Sequence, residues 1–316
     1  MPMPLVSVLM AVYNADRYVA TTIESILAQS WTDFELIIIN DGSTDRSASI
    51  LDHYASQDAR LRVLHRENQG IPCTRNQLVR LAEAELLAWI DADDVALPDR
   101  LALQVEFMQQ HPAVVCLGSS FELIDARGRR LTHLQVPLTD MEIQPQLLAG
   151  HAALFQPCAM LRRSVVQQVG GYDESMGQAE DLDLWLRLGE VGQLANLPHC
   201  LIQYRLHADS VSEQDCQFQR QKALEACQRA WQRRGIQGQF EAGEPWRPSS
   251  DRRSQQQFIL KYGWWAFNYR QRRTALIYGL KAIIKLPLNR ESWRLFGCAL
   301  LKPLRDPLPP DTVRCS

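Results

Sequence analysis

Three aspartates close together form the most chemically suggestive stretch of the chain. Residues 86–100 read LLAWIDADDVALPDR, in which five uncharged residues lead directly to Asp91, Asp93 and Asp94. Such a run is typical of a buried strand in a parallel sheet, and open α/β folds bind ligands at the carboxyl ends of these strands. Grouped carboxylates suit Mg²⁺ or Mn²⁺, which bind through one or two of them and the phosphates of a substrate. Alternatively the acids cap the helix predicted after Pro98, for which one would suffice.

Two further charged residues lie next to predicted strand ends. Asp41 follows the apolar run FELIIIN, and it is either a second ligand-facing acid or the first residue of an Asp-Gly turn. Arg75 lies in the first turn of a helix predicted over 71–84. A cation is unfavourable at a helix N-terminus, so Arg75 is either solvated or placed for an anionic partner such as a diphosphate.

Glu180 and Asp181 begin a third candidate region. The sequence EDLDLWLRL predicts a helix over 180–188 with both acids at its start. Acids there are stabilised by the helix dipole, but capping requires one such residue and not an adjacent pair. His207 follows a strand predicted over 200–205 and gains importance only if the fold returns it to the aspartates.

The order of the elements places these residues together. Apolar runs at 6–12, 34–40, 61–65 and 86–90 alternate with helical patterns, which gives βαβαβαβ and predicts a parallel sheet with right-handed crossovers. All the acidic loops then lie at the carboxyl edge. After a helix over 99–111, strands predicted at 114–120, 121–131, 158–162 and 200–205 make the sheet mixed.

Composition limits the class of protein. The 316 residues are 46% hydrophobic and 22% charged, as expected for a globular protein of one or two domains. The eight cysteines include no C-x-x-C pair, which disfavours a zinc site or a disulfide framework and favours a reducing compartment. The N-terminus lacks a basic region, and no run of about 18 apolar residues occurs, so we expect a cytoplasmic protein without a signal peptide or spanning helix.

The charge changes sign along the chain. Residues 1–214 carry 15 Lys and Arg against 28 Asp and Glu, whereas residues 215–316 carry 19 against 8. We therefore predict a catalytic domain over 1–214 and a basic, mainly helical extension over 215–316, with a linker at 245–250. A helix at 290–305, basic and apolar on one side, predicts peripheral contact with an anionic membrane; packing against the catalytic domain or a second subunit is the alternative.

Several segments together resemble a known family. These are VSVLMAVYNADRYVATTIESILAQSWTDFELIIINDGSTDRS, ENQGIPCTRNQLVRLAEAELLAWIDADD, the run from CAMLRR through GGYDE to AEDLDLWLRL, and YRLHADSVS. Over residues 4–214 the chain resembles a family 2 glycosyltransferase of the GT-A fold. The resemblance implies an α/β, Rossmann-like mixed sheet with helices on both faces, and an inverting transferase that uses a nucleotide sugar.

The resemblance also implies roles for individual residues. Ala11 and Tyr13 would line the base pocket, Asp41 would accept the base N–H, and Arg75 would contact the nucleotide. Asp91 would face the ribose, and Glu180 is counted among the substrate-binding residues. The metal, Mn²⁺ or Mg²⁺, would be held by Asp93, Asp94 and His207, and Asp181 would be the general base.

One departure from the family bears on the reaction. The Gln-x-x-Arg-Trp signature of processive synthases and their membrane helices are missing, so we expect that one sugar is transferred. By family habit the donor is a UDP-sugar. The expected acceptor is a hydroxyl of a lipid-linked glycan or cell-surface polysaccharide precursor. A sugar nucleotidyltransferase is a weaker alternative because the first loop lacks glycines, and a nucleotide-sugar-binding module without catalysis is another. No motif supports nucleic-acid binding.

Overall fold

The computed structural model describes residues 4–207, 216–241 and 252–303. By compactness the chain forms two units. The first comprises Met1–Ser120, Val136–Gln203 and Phe218–Ala242, and the second comprises Phe121–Gln135, Tyr204–Gln217 and Gly243–Ser316. The predicted boundary at 214/215 and the predicted linker lie outside the described residues, and the division into 1–214 and 215–316 stays a prediction.

The first unit begins with the predicted alternation of strands and helices. Its elements are β1 (Val6–Val12), α1 (Val19–Leu27), β2 (Phe34–Asp41), α2 (Ser47–Ala55), β3 (Leu61–Arg66), α3 (Ile71–Leu81), β4 (Leu86–Trp89), β5 (Val95–Ala96) and α4 (Arg100–Gln110). The chain continues with β6 (Val114–Asp125), α5 (Asp140–Leu148), β8 (Met160–Arg162), α6 (Arg163–Gln168), α7 (Glu180–Leu188), β9 (Gln193–Leu206) and α8 (Cys216–Arg234). The last residues of β6 and β9 and the first two of α8 belong to the second unit. Single 3-10 turns cover Gln156–Cys158 and Glu174–Ala179.

The sheet is mixed, with strand order β3-β2-β1-β4-β8-β6-β9-β5. Strands β1 to β4 pair in parallel, whereas β8 is antiparallel to both β4 and β6. In the parallel part Val12 pairs with Asn40, and Asn40 pairs with His65, so the carboxyl ends of the first three strands lie side by side. The residues that follow these strands therefore share one edge, as the sequence predicts.

Both faces of β1, β2 and β4 are buried, which explains their nearly unbroken apolar sequence, whereas β3 at the edge of the sheet is largely exposed. Leu9, Ile37 and Ile39 belong to a core to which α3, α5, α6, α7 and α8 all contribute. Val8, Met10 and Ile38 on the opposite face are fully buried as well. The core fixes the strands and, through α3 and α7, the two helix starts that carry Arg75 and Glu180.

Two strands differ from their predicted extent. β6 is one continuous strand from Val114 to Asp125, whereas two separate strands, 114–120 and 121–131, are predicted from the sequence, and β9 begins at Gln193 instead of Cys200. Gly118 marks a close approach and not a turn, because a Cβ atom there would lie 2.1 Å from Oδ1 of Asn196. β5 was not predicted, since two residues carry no periodic signal.

The second unit is built from helices and one additional strand. It contains β7 (Arg130–Leu134), α9 (Arg252–Asn268), α10 (Arg272–Lys285) and α11 (Arg290–Leu301). β7 pairs antiparallel with the part of β6 from Phe121 to Ile124. Ala266, Ala275 and Ala299, one from each helix, form a small core where the helices meet. The predicted helix at 290–305 ends at Leu301, and its last predicted residues lie outside the described part of the chain.

Candidate active site

The loop after β1 and the loop after β2 are held together by hydrogen bonds. The amide of Asn14 donates to Oγ of Ser43 at 3.0 Å, and the amide of Thr44 donates to Oδ1 of Asn14 at 2.8 Å. Asn14 has a φ of +50°, a conformation that asparagine tolerates better than most residues. Next to it Tyr13 is 53% exposed, and Ala11 lies partly buried at the end of β1. An exposed ring at the sheet edge is available for stacking on a base.

Asp41 is a buried anchor for the neighbouring loop. Its two carboxylate oxygens accept from the amides of Gln69 and Gly70, each at 3.0 Å, and Oδ1 also accepts from Nε of Arg66 at 2.8 Å. Its backbone carbonyl accepts from the side-chain amide of Asn68 at 2.9 Å. The sequence suggests two roles for Asp41, an Asp-Gly turn or a ligand-facing acid. The structure adds a third role, because Asp41 fixes the loop that leads into α3.

Arg66 was not singled out from the sequence. It ends β3 at the same edge, and its guanidinium contacts Asp41, Thr74 and Gln77, the Thr74 hydroxyl at 2.5 Å. A cation at the end of a parallel strand, next to the strand that ends in Asp41, is the signal that could have identified it. Arg66 neutralises Asp41 and ties it to the first turns of α3.

The acidic loop after β4 contains one buried and two partly exposed carboxylates. Asp94 is 1% exposed, whereas Asp93 is partly exposed and the Asp91 side chain is 39% exposed. The hydroxyl of Thr22 on α1 donates to the carbonyls of Ala92 and Asp94, at 3.0 and 2.7 Å, which fixes the loop backbone. Asp91 and Asp93 are therefore the carboxylates of this loop that a ligand can reach.

Arg100 lies fully buried beneath the acidic loop. Its Nη2 donates to the carbonyl of Trp89, the last residue of β4, at 2.5 Å, and its Nε donates to Gln104 at 3.1 Å. Burial lowers the pKa of Arg100 to about 10, while the charges of Asp94 and Asp91 act in the opposite direction. Arg100 thus supplies a positive charge from inside the protein to the acidic loop.

Arg75 connects the acidic loop with the start of α7. It is largely buried, its Nη1 donates to Oε1 of Glu180, and its Nη2 lies 3.7 Å from Oδ1 of Asp91. The guanidinium also lies 5.9 Å from the ring of Trp89 and 5.7 Å from the ring of Tyr172. Burial acts to lower the pKa of Arg75, but the charges of Glu180 and Asp91 outweigh it and the pKa is raised. Arg75 therefore stays charged and pairs with both acidic groups.

The two acids at the start of α7 are both perturbed by burial. Burial raises the pKa of Glu180 to about 7 against the opposing charge of Arg75. Burial likewise raises the pKa of the half-buried Asp181, whose Oδ1 accepts from the amide of Leu182 at 2.7 Å. Oε2 of Glu180 has no hydrogen-bond partner among the described residues. These are the environments in which carboxylates become proton acceptors near neutral pH.

Tyr172 is a second residue that sequence reasoning did not single out. Its ring packs edge-on against Trp89 at 5.6 Å, and its hydroxyl accepts from the Gln156 side chain at 2.8 Å. Asn76 fixes the backbone of Tyr172 from both sides, accepting from its amide at 2.8 Å and donating to its carbonyl at 2.9 Å. From the sequence Gly170 and Gly171 end a helix and Tyr172 lies in the loop that follows, but no residue pattern indicates that this loop contacts the first turns of α3.

Nine of the ten predicted site residues lie in the first unit, and of these Arg75, Asp91 and Glu180 are joined by direct contacts. The nine are Ala11, Tyr13, Asp41, Arg75, Asp91, Asp93, Asp94, Glu180 and Asp181. His207 directly follows β9 and belongs to the second unit, so its place in a metal site stays a prediction. In the described ranges no group of three or more His, Cys, Asp or Glu side chains could hold a metal ion. No helix of the same ranges is long and apolar enough to cross a membrane.

Comparison with known proteins gives one family. The model of the family described as glycosyl transferase family 2 matches residues 7–170. The chain is 34% identical over 213 residues to the O-antigen biosynthesis glycosyltransferase WbnJ of Escherichia coli, which covers 66% of this chain and 82% of that protein.

Two solved structures show the same fold at low sequence identity. TarS 1–349 of S. aureus in complex with UDP-GlcNAc has a TM-score of 0.56 at 15% identity, and the match covers 93% of this chain and 79% of that TarS chain. The mannosyltransferase PcManGT of Pyrobaculum calidifontis in complex with GDP-Man and Mn²⁺ has a TM-score of 0.55 at 14% identity, covering 94% and 84%. The predicted GT-A-like α/β fold with C-terminal helices is thereby confirmed.

Proposed function

Because this chain belongs to glycosyl transferase family 2 and is a glycosyltransferase, we propose that it moves one sugar from a nucleotide diphosphate to an acceptor hydroxyl with inversion of the anomeric centre. Family membership sets aside the sugar nucleotidyltransferase considered from the sequence. The observation that carries the proposal is the position of Arg75, which lies between Asp91 of the acidic loop and Glu180 of the Glu-Asp pair.

The donor side of the proposed site is the carboxyl edge of β1, β2 and β4. Tyr13 supplies an exposed ring for the base, and Ala11 beside it leaves room at the end of β1. Asp91 faces the ribose. Asp41 is committed to the amides of Gln69 and Gly70, so we propose that it shapes the nucleotide pocket through this loop as well as accepting from the base.

The acidic loop fits a hard divalent cation by the chemistry of its donors. The partly exposed Asp93 offers carboxylate oxygens at the edge where a diphosphate would lie, and Mg²⁺ or Mn²⁺ takes its remaining ligands from phosphate and water. We propose Asp93 as the main protein ligand of the cation. The family resemblance implies the buried Asp94 and His207 as further ligands. A cation bound there supplies charge neutralisation for the departing diphosphate.

The acceptor side is the start of α7. In the proposed reaction the acceptor oxygen attacks the anomeric carbon, its proton passes to Asp181, and the bond between that carbon and the β-phosphate oxygen breaks with its electrons on the nucleoside diphosphate. Burial raises the pKa of Asp181, which strengthens it as a base. Arg75 holds Glu180 beside Asp181 and keeps both helix-start acids in place.

The acceptor class follows from similarity alone. WbnJ is a glycosyltransferase of O-antigen biosynthesis, and we extend this role to a lipid-linked glycan or cell-surface polysaccharide precursor as the acceptor. TarS is described with UDP-GlcNAc, which supports UDP as the nucleotide. A UDP-sugar is therefore the first donor to test, with GDP-mannose second because PcManGT is described with it.

The proposal is tested by donor turnover without an acceptor. UDP-, dTDP- and GDP-sugars are incubated with Mn²⁺, with Mg²⁺ or with EDTA, and release of the nucleoside diphosphate is measured. We expect slow release from one nucleotide that EDTA and Asp93→Asn abolish. Asp99→Asn is the matched control, because Asp99 is an exposed acid six residues further along the chain. Failure of every nucleotide sugar to bind in the presence of either metal would contradict the proposal, and binding without turnover even with acceptor glycans would instead indicate a module that lacks catalysis.

A further inference from the structure

The second unit exposes a surface that the transfer reaction does not use. Between residues 252 and 303 the chain has eleven Lys and Arg and a single acid, Glu291. Ordinary protein surfaces mix both signs of charge, so this part of the chain carries a strong positive field. Its partner is expected to be anionic.

Large apolar side chains lie exposed on two helices of this unit. On α10 the exposed apolar residues are Ile277, Leu280 and Ile284, the last of them 71% exposed. Their spacing of three and four residues places them in one stripe along the helix. Lys281 and Lys285 border this stripe, and both are exposed.

α11 carries a second stripe of the same character. Trp293 is 56% exposed and Leu301 is 80% exposed, and Leu300, two turns after Trp293 along the helix, is exposed as well. Arg290 and Arg294 are exposed on the same side of the helix, about three and two turns before Leu301 along it. Apolar and basic side chains thus share the outer face of this helix too.

The buried faces of α10 and α11 both point toward α9, so their exposed stripes point away from it. Gly263 of α9 is the meeting point, because a Cβ there would lie 3.1 Å from Cβ of Tyr278 on α10 and 2.3 Å from Cδ2 of Leu295 on α11. The two outer helices contact each other directly, since a Cβ on Gly279 would lie 3.0 Å from Cα of Phe296. Arg272 at the start of α10 donates to the carbonyls of Leu300 and Lys302 at 3.1 and 2.6 Å, which fixes the antiparallel pair at that end.

We infer that the outer faces of α10 and α11 form one docking surface for an anionic phospholipid bilayer. The exposed Ile, Leu and Trp side chains enter the interface between headgroups and acyl chains, and the Lys and Arg beside them pair with lipid phosphates. The charge selects this occupant over a second copy of the chain, because two such surfaces would repel each other. A nucleic-acid backbone would satisfy the basic residues but would leave the aliphatic stripes without a partner.

This surface extends the membrane contact predicted from the sequence. The predicted segment was 290–305 alone, whereas the structure adds the stripe on α10, which the sequence concealed because its hydrophobic residues surround that helix on all sides. The inference is independent of the proposed reaction, since none of these residues belongs to the candidate active site. Donor turnover and membrane binding can therefore fail separately.

The experiment is flotation of the full chain with vesicles of phosphatidylglycerol and phosphatidylcholine, or of phosphatidylcholine alone. We expect binding to the anionic vesicles only, reduced by salt. The double variant Ile284→Ser, Leu301→Ser should bind the anionic vesicles about tenfold more weakly. Arg290→Glu should weaken this binding by at least about fivefold, because each basic residue near such a surface contributes roughly a factor of five. Matched controls are Met141→Ser with Val191→Ser, and Arg80→Glu, all exposed in the first unit, and these should bind as the unchanged chain does.

Each of the other outcomes overturns the inference. Equal binding of the apolar double variant would show attraction by charge alone, and equal binding to neutral vesicles would remove the role of the basic residues. Absence of binding at low salt would reject the surface outright, as would a dimer in solution that Ile284→Ser, Leu301→Ser converts to a monomer. Thermal unfolding and vesicle-free donor turnover of each variant, both expected unchanged, exclude loss of folding as the cause.

Discussion

Arg75 donates a hydrogen bond to Glu180 although the two residues lie 105 positions apart along the chain. Arg75 is the fifth residue of α3 and Glu180 begins α7. The same guanidinium lies 3.7 Å from the carboxylate of Asp91 after β4. One buried cation thus couples the loop proposed to bind the donor with the helix start proposed to deprotonate the acceptor.

Removal of the Arg75 guanidinium should affect stability and turnover together. Arg75→Met leaves the buried Glu180 without its cation, and we expect the free energy of unfolding to fall by about 3 kcal/mol, as for other buried pairs that lose one partner. Donor turnover should fall by about 100-fold or more, since the two sides of the site lose their connection. Denaturant unfolding and nucleotide release measure the two effects.

The double variant Arg75→Met, Glu180→Leu separates the two effects. Replacing both partners with apolar residues removes the uncompensated charge, so most of the lost stability should return while turnover stays low. Recovery of turnover together with stability would mean that the pair acts only as a structural support.

The stability of the protein should depend on pH through Glu180. Its pKa is raised from 4.5 to about 7 in the folded state, so between these values the folded protein holds a proton that the unfolded chain has released. This contribution is fully present below pH 4.5 and is lost as the pH rises to about 7, by about 3 kcal/mol. Other carboxylates titrate in the same range, so the comparison is with Glu180→Gln. The difference in unfolding free energy between the unchanged chain and this variant should shift by that amount between pH 4.5 and pH 7.5, and a difference that is constant with pH would refute the assignment.

Asp41 should be more costly to neutralise than a similar acid elsewhere. Asp41→Asn removes a hydrogen bond from the amide of Gln69 or Gly70 and the negative charge that faces Arg66. We therefore expect the free energy of unfolding to fall by about 2 to 3 kcal/mol and the affinity for the donor to weaken. Asp58→Asn is the matched control, because Asp58 also accepts from a backbone amide and an arginine, both of Arg60, but is partly exposed and lies before β3. It should cost no more than about 1 kcal/mol. Equal losses would show that the loop does not depend on the buried carboxylate.

Gly42 should tolerate no side chain, and this tests the packing of the two loops. Its φ is +77°, and a Cβ there would lie 2.7 Å from the amide nitrogen of Asn68, in the loop that Asp41 holds. Gly170 has a similar φ of +88° but open space around it, so Gly170→Ala measures the cost of the backbone conformation alone, about 1 kcal/mol. Gly42→Ala should cost about 2 kcal/mol more and should raise KM for the donor. Thermal and chemical unfolding of both variants give the comparison, and equal costs would contradict the close contact.

The order of strands and helices could be predicted because periodicity is local. The buried runs ending at Val12, Asp41 and Trp89 carry the pattern of a parallel sheet in their own residues, and the shared edge follows from that topology. The extent of β6 and β9 could not be predicted, since Gly118 is explained only by its contact with Asn196 on a strand nearly eighty residues later.

The partners of the charged site residues could not be predicted for the same reason. Arg75 was expected to face an anion, and the structure gives it two protein carboxylates, one of them on a helix whose position depends on the whole core. Arg66 was missed because its partner Asp41 lies on a neighbouring strand 25 positions earlier, and Tyr172 because no local pattern around it suggests chemistry. Long-range packing, and not residue type, decides which of these groups meet.

The most direct test of the account is a comparison of donor binding with donor turnover in Asp181→Asn. The substitution keeps the shape of the side chain and removes its ability to accept a proton, and Asp181 is not placed on the donor side of the site. Calorimetry with the donor and metal identified by the panel should give a dissociation constant close to that of the unchanged chain, while transfer falls by about 1,000-fold, within the range expected when a general base is removed. Transfer at the normal rate would contradict the assignment of Asp181 as the base and, with it, the proposed mechanism.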